Sequence, residues 1–407
     1  MDRRIIIVLA FAAVIGQGCS GKSALTYPTW SGQVSSAPQS DSGFASYCRA
    51  ADLAEKIPDD LCDRVSYSPD KRAQLLSSLQ PALSELQKGL SSGNLDFKFK
   101  PTDPGDVPSH HIGWRLLGRA LVFKIENAIE AERYDSAIQL ASSATQFGFD
   151  LTNGGAIDAS LGMSIANDAR GALAKGLGAM SSAQLARVAS RFDSLLDRKT
   201  SLITTLRNEK DEMLSSVQIL QDACLARRSA KLGQRLNIPA REFAILSNIE
   251  TSSDDERVAF FKGLAAEMEA KNTYWQNLAG LPTRLRDPKQ KRVELPVLAA
   301  ERPWFRLSAA FGSAGEPLIA QNDEVLARTR LLVATSRLMR LAKLKQKLPH
   351  DISAFGDCAV DPFTGQHFAY RTDGAEFKIY SAGANGIDDG GRTDESESGP
   401  DLCLETN

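Results

Sequence analysis

Residues 110–141 read HHIGWRLLGRALVFKIENAIEAERYDSAIQLA, and the hydrophobic spacing in this stretch decides the fold. Trp114, Leu117, Leu121, Ile125 and Ile129 recur every three or four positions, which places them on one side of a helix from about His110 to Glu130. The next segment, Ala131-Glu132-Arg133-Tyr134-Asp135-Ser136-Ala137-Ile138-Gln139-Leu140-Ala141, reads as the junction into a second helix. A helix, a junction of a few residues and a second helix make a helical hairpin.

The junction resembles that of tetratricopeptide-type repeats, but over this one turn and with no second copy at a fixed period, so the expectation is a plain hairpin rather than a solenoid. Upstream, Leu76, Leu79, Leu83, Leu86 and Leu90 form another apolar seam, with Pro81 inside it as a kink or a fresh helix start. Residues 91–109 read as a loop because Pro101, Pro104, Gly105 and Pro108 fall there. Downstream, Gly154, Gly155, Gly162, Gly171, Gly176 and Gly178 interrupt an apolar period between Leu151 and Met180, which either lets helices approach closely or marks breaks. Ser181 with Gln184, and Ser253 with Glu256, have the spacing of capping boxes. Helices are expected over 182–196, 199–234 and 254–279, giving a helical domain at 46–280.

Five prolines, from Pro282 to Pro317, mark 281–322 as a connecting region, in which Trp304 and Phe305 should find a packing partner. A helix follows to Lys347, with seven basic residues between Arg328 and Lys347 and leucines at 331, 332, 338, 341 and 344. Such a helix either lies on anionic lipid or covers a core with its leucines, the commoner arrangement. Beyond Pro349 the period becomes strand-like: His367 to Arg371 and Glu376 to Ser381 flank Thr372-Asp373-Gly374-Ala375, a hairpin turn. The fold class expected is therefore mainly α, a bundle of helical hairpins, with a small C-terminal antiparallel β-hairpin module over 323–391 and an acidic disordered tail over 392–407.

The N-terminus carries two incompatible patterns. Gly16-Gln17-Gly18-Cys19-Ser20-Gly21-Lys22-Ser23 spells a phosphate-binding loop, which needs a helix after it to aim N–H groups at the phosphates. Pro28 and the Ser, Gly and Pro-rich stretch up to Gly43 supply no helical period, so a P-loop nucleotide hydrolase is disfavoured. The other pattern is Arg3 and Arg4, eleven apolar residues from Ile5 to Ile15, and small residues before a cysteine. That is a signal peptide over 1–18, too short to remain as a membrane span. Gly18 and Cys19 resemble the lipobox of bacterial lipoproteins, which implies lipid attachment at Cys19, although Gly16 and Gln17 depart from that pattern and ordinary signal peptidase would cut the same bond. Residues 19–45 then read as a flexible tether, and the place implied is the cell envelope, with the folded part in the periplasm.

A net charge of −2 draws the chain to no nucleic acid. An exported chain permits disulfides, and the economical pairs are Cys48 with Cys62 and Cys358 with Cys403, leaving Cys224 as a buried thiol. No C-x-x-C spacing, H-E-x-x-H or G-x-S-x-G elbow occurs; Ser164 in Gly162-Met163-Ser164-Ile165-Ala166 lacks the second glycine, and His110-His111 at a helix start read as exposed histidines without a metal. No catalytic residue is therefore nominated, and the expectation is a non-catalytic interaction or scaffold module with a membrane and an envelope protein as partners.

Asp361-Pro362-Phe363-Thr364-Gly365, an aromatic strand, and Tyr380-Ser381-Ala382-Gly383-Ala384-Asn385-Gly386-Ile387-Asp388-Asp389-Gly390-Gly391 together resemble the C-terminal part of type II secretion major pseudopilins, over about 325–391, and also the tails of uncharacterised bacterial envelope proteins. The resemblance implies calcium in the last loop, with Asn385, Asp388, Asp389 and, further on, Asp394 as oxygen ligands. The alternative is a glycine- and Asp-rich turn whose side chains cap their own backbone. A secreted, unlipidated protein with a calcium-binding tail is thus the second functional expectation.

Overall fold

The computed structural model describes residues 42–62, 67–92, 110–228, 240–281, 283–286, 315–374, 376–392 and 401–404, together with Pro28, Leu95, Trp304, Leu307 and Ser308. The described residues are mainly helical, with one small two-stranded sheet near the C-terminus. Helix α1 (Gly43–Ala54) starts three residues before the expected domain edge because Ser42 caps it, its hydroxyl accepting the Ala45 N–H. The leucine seam divides into α2 (Pro69–Ser78) and α3 (Gln80–Ser91), with Pro81 in the first turn of α3, where a missing N–H costs nothing.

The hairpin of residues 110–141 forms as read. Helix α4 (His111–Glu130) ends when Glu132 takes a left-handed φ of 54° and the Arg133 N–H bonds back to the Ala128 carbonyl at 2.7 Å. Helix α5 (Tyr134–Leu151) then returns against α4, and α6 (Ala156–Ala174) packs on both. The tightest contact lies between α5 and α6. A Cβ added to Gly162 would lie 2.2 Å from the Gly148 carbonyl oxygen, and one added to Gly148 would lie 2.3 Å from that of Gly162. Only glycine lets these two backbones meet.

Both capping boxes are complete, Ser181 with Gln184 opening α7 (Ser182–Arg198) and Ser253 with Glu256 opening a later helix. The long helix expected over 199–234 is shorter: α8 (Leu202–Leu225) stops because Arg227 adopts φ 52° and the Arg228 N–H reaches the Ala223 carbonyl at 2.8 Å. This is the same left-handed stop that ends α4, made again without a glycine. Then come α9 (Ala240–Thr251) and α10 (Asp254–Ala279), and both pack on α8.

Within the expected connection, Trp304 packs on Phe260, with ring centroids 6.2 Å apart, and Ser308 bonds to Glu267 and Lys271 of α10. Helix α11 (Gly315–Lys343) begins inside that region, with Pro317 tolerated in its first turn. It runs along α7 and α6 and also meets the C-terminal module. Its leucine face is a core face, since Leu331, Leu332 and Leu338 are fully buried. Three of its basic residues bond within the fold: Arg330 donates to the Val360 carbonyl, Arg337 to the Phe355 carbonyl and Asp193, and Lys343 to the Gly178 carbonyl. The alternative of a helix lying on lipid gives way to this arrangement.

Strands β1 (Ala369–Asp373) and β2 (Glu376–Tyr380) pair antiparallel, from Ala369 with Tyr380 to Asp373 with Glu376. The two-residue loop starts at Gly374, φ 62°, one position later than an Asp-Gly centre would put it. Phe368 and Ile379 join Leu331, Leu338, Leu348 and Ile352 in a small second core. The expected disordered tail is corrected at 401–404, where Leu402 pairs with Ser381 as an isolated antiparallel bridge.

Candidate functional site

The motif-bearing residues of the C-terminal module converge on two buried carboxylates. Asp361, which opens the Asp-Pro-Phe-x-Gly turn, accepts the Phe363 N–H at Oδ1 (3.0 Å) and both the Ser381 hydroxyl (2.8 Å) and the Ala382 N–H (3.1 Å) at Oδ2. It thereby joins the turn before β1 to the chain leaving β2. Burial pushes its carboxyl up, against the pull of these donors. Asp401 holds the glycine-rich loop in the same way, its Oδ2 accepting the N–H groups of Asp389 (3.1 Å) and Gly391 (2.7 Å). Its residue is 1% exposed and its Oδ1 has no partner among the described residues. Sequence reading missed Asp401, which lies in a polar tail with no periodic signal.

The expected calcium ligands share this loop but are occupied by it. Asp388 Oδ1 accepts the Tyr380 hydroxyl at 2.8 Å and the Gly390 N–H at 2.9 Å, Asn385 Oδ1 accepts the Ile387 N–H at 2.9 Å, and the Asn385 amide nitrogen lies 3.4 Å from Asp389 Oδ2. The hydrogen bond from Tyr380 holds the Asp388 carboxyl below its usual range, while burial pushes the Tyr380 phenol up to about 12. Among the described residues no three His, Cys, Asp or Glu side chains are gathered to hold a metal ion. In this structure Asn385 and Asp388 serve the loop's own backbone and Asp389 meets Asn385, the arrangement weighed beside the calcium ligand set; Asp394 lies outside the described residues.

The expected disulfide pairs are not formed in this structure. Cys48 and Cys62 are not joined: Cys48 is buried in α1, where burial pushes its thiol up, and the Cys62 thiol faces the Pro58 carbonyl at 3.7 Å. Cys358 and Cys403 are likewise separate, Cys358 receiving Arg337 at 3.0 Å and Cys403 lying 3.7 Å from the Gly391 carbonyl. Cys224 is buried, with its sulfur 3.9 Å from the Leu246 carbonyl.

His110 and His111, expected to be exposed, instead pin the start of α4. His111 Nε2 is 2.6 Å from Asp158 of α6, His110 Nδ1 is 3.3 Å from Asp52 of α1, and both rings lie against Trp114. His110 is 8% exposed, and this burial holds its pKa down.

Elsewhere the perturbed groups are joints of the helical body. Tyr47 donates to Asp150 at 2.6 Å, and burial raises the Asp150 carboxyl to about 6. Lys199 donates to Asn322 at 2.6 Å and is lowered to about 8 by burial, and Arg170, bonded to Asn167 and Thr329, is lowered to about 9 by the same cause. Glu209 is buried and caps α6 by accepting the Ala156 N–H at 2.7 Å, and Ser164 receives Gln321 at 3.1 Å. Each of these groups is spent on holding two helices together.

Cys19, Lys22 and the rest of the phosphate-loop pattern lie outside the described residues. The expected tether is fixed at one point, where the Pro28 carbonyl accepts the side-chain amide of Gln221 on α8 at 2.9 Å. Among the described residues no helix is long and apolar enough to cross a membrane. No family model matches the chain, and no curated protein and no solved structure shows significant similarity to it.

Proposed function

We propose that the chain is an exported cell-envelope protein, anchored by a lipid on Cys19, whose helical body acts as a non-catalytic interaction or scaffold module in the periplasm. The observation that carries this reading is the N-terminal succession Arg3-Arg4, Ile5 to Ile15, Gly18-Cys19. It is supported by the use of the buried titratable groups, from Asp150 to Lys199 and Glu209, as helix-to-helix joints. The test is the intact mass of the mature protein extracted from membranes. A diacylglyceryl group on an N-terminal Cys19 is expected, and an unmodified N-terminus overturns the anchor.

A second reading, calcium binding by the C-terminal loop, is favoured by one observation: Asp401 Oδ1 is a buried carboxylate oxygen without a partner among the described residues. The ion would have to draw Asp388 from Tyr380 and Gly390. A calcium-dependent rise in melting temperature that Asp401→Asn abolishes supports it. Identical melts in calcium and in chelator reject it.

A further inference from the structure

Residues 19–45 as a free tether would let the body drift up to about 95 Å from a lipidated Cys19, at the extended reach of a polypeptide. The contact between Pro28 and Gln221 shortens that leash. Gln221 is 1% exposed, and its amide holds the Pro28 carbonyl at 2.9 Å. Only nine residues then separate Cys19 from a point fixed on α8, a reach of about 32 Å at most. An anchor this short selects which side of the body meets the bilayer.

One helical turn beyond Gln221, about 6 Å along the axis, α8 ends at Leu225, which is 39% exposed. Arg227 and Arg228 follow, both exposed and neither ion-paired within the described residues. They sit on a backbone locked by bonds from their N–H groups to Cys224 and Ala223. The charge does not stop there: from Leu225 to Arg241 the sequence carries five basic residues and no acidic one. The basic end of α11 differs, since Lys343 is bonded to the Gly178 carbonyl and, among the described residues, the Pro28 contact is made by α8 and not by that end.

We propose that the C-terminal end of α8, presenting Leu225, Arg227 and Arg228, is the face that rests on an anionic lipid surface. The inference rests on the lipid anchor at Cys19 for its reach argument, and on charge complementarity for its partner. An exposed leucine beside two guanidinium groups on a bonded backbone gives both an apolar contact and attraction to phosphate headgroups.

The experiment uses the mature chain with Cys19→Ser, so that acylation plays no part, in co-flotation with vesicles of phosphatidylcholine alone or with 30% phosphatidylglycerol, an experimental choice of about the charge density at which basic side chains act. Binding is expected only to the anionic vesicles and should weaken steeply with salt. Arg227→Gln/Arg228→Gln should weaken it about thirtyfold, while Lys345→Gln/Lys347→Gln, an equal loss of charge elsewhere, should change it less than about twofold. Equal binding to both vesicle types, no binding by the parent chain, or equal losses in the two variants overturns the inference. The mass of the N-terminus tests the anchor separately: vesicle binding with an unmodified Cys19 removes the anchor and keeps the surface, whereas an acylated protein indifferent to headgroup charge does the reverse.

Discussion

Alanine at Gly162 and alanine at Gly171 should move stability in opposite directions, although both glycines lie in α6. Replacing a helical glycine by alanine ordinarily stabilises by up to about 1 kcal/mol, through lower backbone entropy in the unfolded chain. At Gly171 nothing lies within 4 Å of the added Cβ, so that gain should appear undiminished. At Gly162 the Cβ would meet the Gly148 carbonyl oxygen at 2.2 Å, where ordinary contact begins at 3.4 Å, so α5 and α6 must part by about 1.2 Å. The neighbouring atoms, the Gly148 carbonyl oxygen and carbon and the Leu151 Cβ, belong to the backbone or are fixed to it, and none can rotate away. Parting the helices also loosens Leu151 and Ala166, both fully buried along the seam, and a gap near 1 Å forfeits up to about half of each dispersion contact. Overpacking of this kind costs about 3 kcal/mol, which outweighs the entropy gain and leaves a net loss of about 2 kcal/mol. In thermal and urea melts, Gly162→Ala should lower Tm by about 2 to 3 °C and Gly171→Ala should leave it unchanged or raised. Gly148→Ala should cost as much as Gly162→Ala, and the double variant less than the two together, because helices already parted accept the second methyl. A neutral or stabilising Gly162→Ala, with Gly171→Ala unchanged, would refute the close crossing of α5 and α6.

Three further outcomes follow from the joints and turns of the fold. Asp150, raised by burial to about 6 from a carboxylate's usual value, binds more protons folded than unfolded between about pH 4 and 6, so its contribution favours folding increasingly as pH falls through that window; Asp150→Asn should flatten the rise in urea midpoint between pH 7 and pH 5. Glu132→Gly should stabilise by about 0.5 kcal/mol in chemical melts, since glycine accepts the φ of 54° that glutamate holds under strain, partly offset by unfolded-state entropy. Asp361→Ala strips the Phe363 and Ala382 N–H groups and the Ser381 hydroxyl of their acceptor, which should cost about 2 kcal/mol and speed amide exchange in 376–391 while leaving α4 to α6 protected.

What could be read from the sequence was whatever local chemistry alone determines. Ser253 with Glu256 forecast the start of α10 to the residue, Pro81 the break between α2 and α3, and the 110–141 period the hairpin of α4 and α5. Helix ends were harder wherever a non-glycine residue took the left-handed position. Arg227 gives no composition signal, so the end of α8 was read nine residues too far, and the junction of 131–141 was named without Glu132 as its left-handed stop. The candidate site was harder still, for a physical reason. Asn385, Asp388 and Asp389 look like cation ligands because acidic and amide oxygens serve backbone capping and metal binding equally well, and spacing along the chain does not say which. What separates the two uses is where the loop's own N–H groups find acceptors. Here that depends on Asp401, ten residues past Gly391, and on Asp361, twenty before Ser381. Partners so distant leave no periodic trace, and the Gln221 contact with Pro28, 193 residues apart, is the extreme case. A local pattern thus names the residues available for a task, and the long-range acceptor decides which task they perform.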